Sequence, residues 1–233
     1  MNTLDILYTP LDLPLCPDID LDKFLSWMDK VYPQNQKSDA AKNKTTSENV
    51  YNDDYPWDLT FGAYNGEWAD GFETQFSELA NYCLSAFNIT KEELRSIIFL
   101  PVREKVQGVA FWHRDLDING FRFYLVNDRY TENPLLLRKT TEPYTSLPDL
   151  KTPLDDYDPR LQTEIYTCKL AGPTQPYYVN NFRAVHSPCI NVPAKRIAVF
   201  IAIKPEHAEN VRCRSEELLL RSVNKYKDMA ILY

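Results

Sequence analysis

Residues 181–203 read NFRAVHSPCINVPAKRIAVFIAI, and the second half of this stretch decides the fold. From Arg196 to Ile203 the chain is apolar after the arginine, and four of its eight residues are β-branched. This composition is typical of a buried strand. Arg196 heads the run and shares a strand face with Ala198 and Phe200, because alternate residues of a strand point the same way. A charged group in an apolar strand needs an anionic partner, and a guanidinium suits a carboxylate. The stretch therefore predicts a β core that holds an anion.

Short β-type runs recur through most of residues 96–204. Turn pairs such as Asn-Gly, Asn-Pro and Gly-Pro separate many of them, and several short strands at this spacing predict a sandwich or barrel. We therefore interpret the chain as mainly β with flanking helices, an α+β protein. The predicted strands are 96–102, 108–113, 121–127, 135–138, 164–170, 177–182 and 196–203.

Helical patterns lie on either side of this core. Apolar residues at helical spacing predict one helix over 20–31, ended by Pro33, and a second over 72–87. Thr90 followed by Glu93 fits a capping box and predicts a further short helix. We interpret the whole chain as one domain with three parts and one mobile, polar loop. These are the helical and loop N-terminal part at 1–95, its loop at 34–50, the β core at 96–204 and a C-terminal helix at 205–233.

Composition limits the compartment and the partners. The formal net charge is −7, whereas proteins that bind nucleic-acid backbones usually carry a basic surplus, so nucleic acid is not an expected partner. No apolar run reaches the roughly 18 residues that a bilayer requires, and residues 1–14 lack a signal-peptide pattern. The five cysteines are widely spaced and form no C-x-x-C pair. We expect reduced thiols, no membrane partner and a cytoplasmic location.

Histidines supply the first candidate chemistry. His113 and Asp115 stand two residues apart in a β-type run, so both side chains can reach one metal ion. His186 lies at the end of another such run. Two histidines and one carboxylate form the facial triad of non-haem Fe(II) oxygenases, in which the remaining positions stay open. Asp117 is the rival carboxylate, although its position beside Asn-Gly favours a turn.

Two arginines extend this pattern. Arg122 follows His113 by nine residues and shares a strand face with Tyr124, and Arg196 follows His186 by ten. Together they could hold a dicarboxylate whose other end chelates iron. For Arg122 a local ion pair is an equal alternative, since strand arginines often pair with neighbouring carboxylates.

With these residues in place, residues 97–203 resemble the 2-oxoglutarate-dependent Fe(II) oxygenases of the aspartyl/asparaginyl β-hydroxylase-like branch. The family pattern of histidine, arginine, histidine and arginine is matched by His113, Arg122, His186 and Arg196. The resemblance implies a double-stranded β-helix core of the jelly-roll or cupin-like kind. It also implies Fe(II), 2-oxoglutarate as cosubstrate, and hydroxylation of an unactivated C–H bond with release of succinate and CO₂.

The chain departs from that branch at two positions. Asp115 replaces a small residue and completes the ligand set, and Tyr124 stands where the animal enzyme has a histidine. The resemblance thus implies metal ligation by His113, Asp115 and His186. It implies cosubstrate binding by Arg196, with Arg122 and Tyr124 as further cosubstrate-binding candidates. The expected substrate is amino-acid-like or a protein side chain, presented as a small molecule or a peptide.

Three other interpretations bear on the function. The string HRDL at 113–116 mimics a protein-kinase catalytic loop, but the asparagine that such a loop needs is Gly120 here. A non-catalytic, cupin-like module that binds a metal or small molecule is the alternative to an enzyme. The aromatic residues Trp57, Tyr64 and Trp68 form either the wall of a substrate pocket under a lid or ordinary packing against the core.

Overall fold

The computed structural model describes residues 3–35, 60–102, 112, 119–126, 135–140, 161–172, 174–180, 183–188 and 196–233. Over these residues the protein is mostly antiparallel β-sheet with some helices, which confirms the predicted α+β class. The strands are β1 Ile6–Pro10, β2 Thr60–Tyr64, β3 Glu67–Trp68, β4 Leu94–Val102, β5 Asn119–Val126, β6 Leu135–Lys139, β7 Tyr166–Cys168, β8 Tyr177–Asn180, β9 Ala184–Pro188, β10 Arg196–Ile203 and β11 Ile231–Leu232. The helices are α1 Leu21–Asn35, α2 Phe72–Gln75, α3 Ser77–Ser85, α4 Ala208–Arg214 and α5 Glu216–Lys225, with 3-10 turns at Thr3–Asp5 and Pro205–His207.

The described strands form two sheets. A large sheet has the order β11-β1-β8-β5-β10-β4-β2-β3, and a small sheet has the order β7-β6-β9. Every pairing is antiparallel, and the apolar strand β10 lies between β5 and β4. Phe200 of β10 is opposite Arg122 on one side and Ile98 on the other. This register fixes which side chains share a face with Arg122.

One face of the large sheet is covered by the helices. Phe99 is fully buried there, and its ring packs edge-to-face on Phe24 of α1 with centroids 4.8 Å apart. Gly62 lies at a bulge in β2, where a Cβ atom would come within 2.3 Å of the Phe99 ring, so only glycine fits beneath it. We call this layer the helix-side core. Its residues include Phe24, Trp27, Phe72, Phe76, Leu79, Phe87, Ile97, Phe99, Phe121, Phe123, Ile197, Val199, Ile201, Val211 and Leu219.

The other face of the large sheet packs against the small sheet. Leu135 and Leu137 of β6 meet Tyr177 and Val179 of β8 in one buried cluster. We call this layer the inter-sheet core. Its residues are Leu7, Tyr8, Leu135, Leu137, Cys168, Tyr177, Val179, Ala184, Ala198 and Ile231, with Phe200 packed against them.

The structure corrects several predicted elements. Residues 1–95 contribute strands β1, β2 and β3 to the large sheet, so they are more than helices and loops. Residues 205–233 likewise end in strand β11, which pairs with β1. The capping box at Thr90 closes only a turn: Glu93 accepts a hydrogen bond from the Thr90 N–H at 3.0 Å, and β4 begins at the next residue. The start of a strand there leaves no room for a helix.

The predicted helices are otherwise present with altered bounds. The first, α1, continues past Pro33 to Asn35, although a proline at this position removes one intrahelical hydrogen bond. The second is broken at Phe76 into α2 and α3. Of the predicted loop at 34–50, the first two residues end α1 and the others lie outside the described residues, as does the predicted strand 108–113 apart from Trp112.

Two predictions from composition can be compared with this structure. Within the described ranges, no helix combines the length and the apolar character needed to cross a membrane. The four cysteines in those ranges are free thiols, and three of them are buried. The four are Cys16, Cys83, Cys168 and Cys213.

Candidate functional site

His186 lies in the small sheet and faces the large one. In β9 it stands opposite Leu137 of β6, whose side chain belongs to the inter-sheet core. Opposite residues of an antiparallel pair project from the same face, so the imidazole enters the space between the sheets. It is 1% exposed. The preceding residue, Val185, projects from the outer face of the small sheet, where it packs in a separate cluster.

Arg122 comes from the opposite wall of this space. It lies in β5 between two helix-side residues, Phe121 and Phe123, so strand alternation directs its side chain toward the small sheet. The side chain is 2% exposed, and its guanidinium carbon is 5.0 Å from the centroid of the Phe200 ring. The ring face gives the buried cation a favourable electrostatic contact. Arg122 is therefore a charge held deep inside the β structure.

The two buried side chains meet across the sheets. Nη1 of Arg122 is 3.0 Å from Nε2 of His186. A guanidinium has only donors, so Arg122 donates and Nε2 accepts with its lone pair. The ring proton then belongs on Nδ1, which makes His186 a neutral imidazole with its Nε2 lone pair in the inter-sheet space. Histidine binds a divalent metal ion in this neutral form, so His186 is chemically suited to be a metal ligand, although Arg122 occupies its Nε2 lone pair in this structure.

The chain segments that carry the two predicted metal histidines approach each other on the outer face of the small sheet. Trp112, the residue before His113, is buried in one cluster with Leu161 and Val185, the residue before His186. This packing joins residues far apart in sequence. It was missed by the sequence analysis, which treated Trp112 only as part of a β-type run.

The other candidate metal-binding and cosubstrate-binding residues are described by their backbones alone or lie outside the described residues. His113 and Asp115 lie outside the described residues, as does the rival Asp117. Among the residues that are described, no three His, Cys, Asp or Glu side chains form a group that could hold a metal ion. Tyr124 and Arg196 are placed by their backbones: Tyr124 pairs with Ala198, and Arg196 begins β10. The roles predicted for His113, Asp115, Tyr124 and Arg196 therefore stay predictions.

The three aromatic candidates occupy different places. Trp57 is outside the described residues. Tyr64 ends β2, is 38% exposed, and packs edge-to-face on Phe61 at 5.6 Å. Its partner in β4, Ser96, alternates with Ile98, so Tyr64 is on the same face of the large sheet as Arg122. Of the two aromatic candidates that the structure describes, Tyr64 is the one on the face that carries Arg122.

Trp68 is on the other side of the sheet. It packs against the helix-side core, with its ring 5.5 Å from Phe72 and the Lys91 ammonium 5.4 Å from its centroid. Its strand, β3, is four strands away from β5, which corresponds to about 19 Å. The structure thus brings Arg122 and His186 together, whereas Trp68 packs as a core residue at the far edge.

Two further residues lie beside Arg122. Phe200 lies beneath the guanidinium, and Tyr177 is opposite Arg122 in β8 and is 1% exposed. The sequence signal for Phe200 was its alternation with Arg196 along β10. No comparable signal marked Tyr177, because its place depends on the pairing of β5 with β8.

The sequence matches no family model, and the comparison with curated proteins gives no match. Two solved structures show remote similarity. IDO from Bacillus thuringiensis is 13% identical with a TM-score of 0.34, and the match covers 59% of this chain and 60% of that one. EvdO2 from Micromonospora carbonacea var. aurantiaca, complexed with 2-oxoglutarate, is 11% identical with a TM-score of 0.33, and the match covers 64% and 71%. The chain thus spans less than two-thirds of the IDO chain, and similarity at this level assigns neither family nor function.

Proposed function

We propose that this chain is an Fe(II)- and 2-oxoglutarate-dependent dioxygenase that hydroxylates an unactivated C–H bond and that its β core is a double-stranded β-helix. The observation that carries the proposal is the contact between Arg122 and His186. Sequence spacing assigned both residues to one site although they are 64 residues apart, and their side chains meet at 3.0 Å in a buried space. The packing of Trp112 with Val185 supports the same arrangement, because these residues precede His113 and His186.

In this proposal His113, Asp115 and His186 hold the metal. Two neutral imidazoles and one carboxylate leave half of an octahedron open. Bound Fe(II) with 2-oxoglutarate supplies the oxidising chemistry, in which O₂ is consumed and succinate and CO₂ are released. Arg196 binds the distal carboxylate of 2-oxoglutarate, because a guanidinium fork pairs bidentately with a carboxylate.

The protein's own contribution is a buried polar site. The side chains of Arg122 and His186 are almost wholly removed from water, and Phe200 and Tyr177 of the large sheet lie beside Arg122. Electrostatic interactions are stronger in such surroundings than in water, which favours tight binding of an anionic ligand. Phe200 keeps the Arg122 guanidinium in place through its ring face. Together these contacts orient the ligands and exclude water from the reacting centre.

The prime substrate is proposed to be amino-acid-like or a protein side chain, supplied as a small molecule or a peptide. Tyr64 is a described aromatic residue at the edge of the face that carries Arg122. An exposed ring at such an edge suits contact with an apolar part of a substrate. Trp57 stays a candidate for the same role.

The test measures 2-oxoglutarate consumption and succinate formation by the full chain with Fe(II) under air. His186→Ala should abolish turnover, because it removes one of three metal ligands. His207→Ala is the matched control, since that histidine is half-exposed in the turn Pro205–His207 after β10, and it should retain turnover. No succinate from the wild-type chain with any amino acid or peptide would favour a binding module without catalysis. Undiminished turnover in folded His186→Ala would refute the assigned site.

A further inference from the structure

A metal ion at His186 requires the lone pair that Arg122 uses. Nε2 of an imidazole has one lone pair, and Nη1 of Arg122 lies on it at 3.0 Å. We propose that Arg122 competes with the divalent metal ion for Nε2 of His186, so that metal binding at this site requires the guanidinium to move away. The inference rests on the proposed function and adds to it a positioning residue that is coupled to metal loading.

The burial of the pair makes the competition strong. Both side chains are almost wholly enclosed, so water cannot readily replace the acceptor that Arg122 would lose. A hydrogen bond from a charged donor in such a place is stronger than one between neutral groups. The ring of Phe200 adds a second contact that keeps the guanidinium near its present position. Metal affinity should therefore be lower than the ligands alone would give.

The same geometry gives Arg122 its role. When a metal ion occupies Nε2, the guanidinium is left within the inter-sheet space and without that acceptor. The donor released from Nε2 can then pair with a carboxylate, the acceptor that a guanidinium fork pairs with best. Arg122 would thus have two positions, one hydrogen-bonded to His186 and one on an anionic ligand.

The first experiment measures the dissociation constant for Mn(II) by calorimetry, without 2-oxoglutarate, on the chelator-treated full chain. Arg122→Met keeps the stem and removes the donors, and it should bind Mn(II) about ten- to a hundredfold more tightly, as expected for losing a competing charged hydrogen bond. His186→Ala should lose this binding.

Arg138→Met is the matched control for loss of a buried arginine. Arg138 is in β6 and stands opposite Val185, so it belongs to the outer face of the small sheet. Its guanidinium carbon is 5.4 Å from the Trp112 ring centroid, and its Nε donates to the Gln162 carbonyl at 2.7 Å. This variant should bind Mn(II) no more tightly than the wild type does. An equal gain in both arginine variants would overturn the proposal.

A second measurement separates competition from simple charge repulsion, since removing any nearby cation also tightens metal binding. Long-range ¹H–¹⁵N spectra of the wild-type chain should show His186 protonated at Nδ1, with Nε2 shifted by hydrogen bonding. Zn(II) should change the Arg122 Nη signals in the same titration steps as the His186 signals. This test needs only the wild type, so it holds even if Arg122→Met does not fold.

The outcomes are distinguishable. Unchanged or weaker Mn(II) binding in folded Arg122→Met, or Arg122 signals that ignore Zn(II), would overturn the competition and leave the proposed function standing. Absence of metal binding in both the wild type and folded Arg122→Met would overturn both. Tighter binding in Arg122→Met with coupled spectral changes in the wild type is the result we expect.

Discussion

The two faces of the large sheet use the same strands for different purposes. On the helix-side face, β5 and β10 present Phe123, Ile197 and Val199 to helices, and the buried layer is apolar and aromatic. On the inter-sheet face, the same β5 presents Arg122 to His186 of the small sheet. Neighbouring residues of one strand thus project into different layers, one mainly apolar layer that contributes stability and one that can carry chemistry.

This difference predicts how substitutions behave. Apolar burial contributes to stability in proportion to the area removed from water, so helix-side changes should alter unfolding. Buried polar groups contribute little net stability but fix a geometry, so inter-sheet changes should alter ligand binding.

The largest effect on unfolding should come from Phe99→Ala. The Phe99 ring packs on Phe24 and Phe72 and covers Gly62, so its loss leaves a cavity and should cost about 3–5 kcal/mol of unfolding free energy. Ile98→Ala is the control, because this neighbour is half-exposed on the other face and should cost clearly less. Urea titration measures both. Equal losses would mean that the two faces do not differ as described.

The next effect concerns binding at Arg196, which heads β10 on the predicted anion-binding face. Arg196→Met keeps the stem and removes the guanidinium. The apparent affinity for 2-oxoglutarate should fall about 30- to several-thousandfold, the cost of breaking a buried charged hydrogen-bond pair. Calorimetry with Mn(II) present checks this, and Mn(II) affinity itself should change little. Unaltered 2-oxoglutarate affinity would mean that another residue binds the distal carboxylate, with Arg122 the next candidate.

The smallest effect lies at the rim of the helix-side layer. Partial burial opposes ionisation of Glu93, but hydrogen bonds from Arg214 and the Thr90 N–H outweigh it, so the pKa of Glu93 lies below the ordinary 4.5. A lowered folded-state pKa gives stability that is present above the unfolded-state pKa and is lost as the pH falls through the folded-state value.

Glu93→Gln should therefore lower the unfolding free energy by less than about 1 kcal/mol at pH 7, as is usual for partly exposed ion pairs. The gap between variant and wild type should shrink below pH 4.5, as the wild-type carboxylate takes up its proton. Urea midpoints across this pH range measure it. A difference between variant and wild type that widens at lower pH would contradict the lowered pKa of Glu93.

Sequence patterns predicted the local elements better than the long-range pairings. Strand β10 has the predicted bounds, because an unbroken apolar run determines it. Strand β1 was missed, since five residues ending in proline become a strand only by pairing with β8 and β11. Strand β9 is absent from the predicted strands, although His186 was placed at the end of a β-type run. His186 and Ser187 interrupt its apolar pattern, and pairing with β6 makes it a strand.

One missed element did carry a local signal. The pair Asn65-Gly66 joins β2 to β3, and both residues have positive φ, of 50° and 83°. This is the two-residue hairpin turn that Asn-Gly favours. For the site, spacing predicted that Arg122 and His186 belong together. The contact between them depends on how the small sheet packs on the large one, which no local pattern encodes.

The most direct test of the central claim is a crystal structure grown anaerobically with Fe(II) and 2-oxoglutarate, with anomalous data collected at the iron edge. We predict an iron peak about 2.1 Å from Nε2 of His186, a distance typical of a histidine nitrogen on a divalent metal. We further predict that His113 and Asp115 are ligands and that Nη1 of Arg122 has left Nε2. Iron bound elsewhere, or Arg122 still 3.0 Å from Nε2 in iron-loaded crystals, would contradict this prediction.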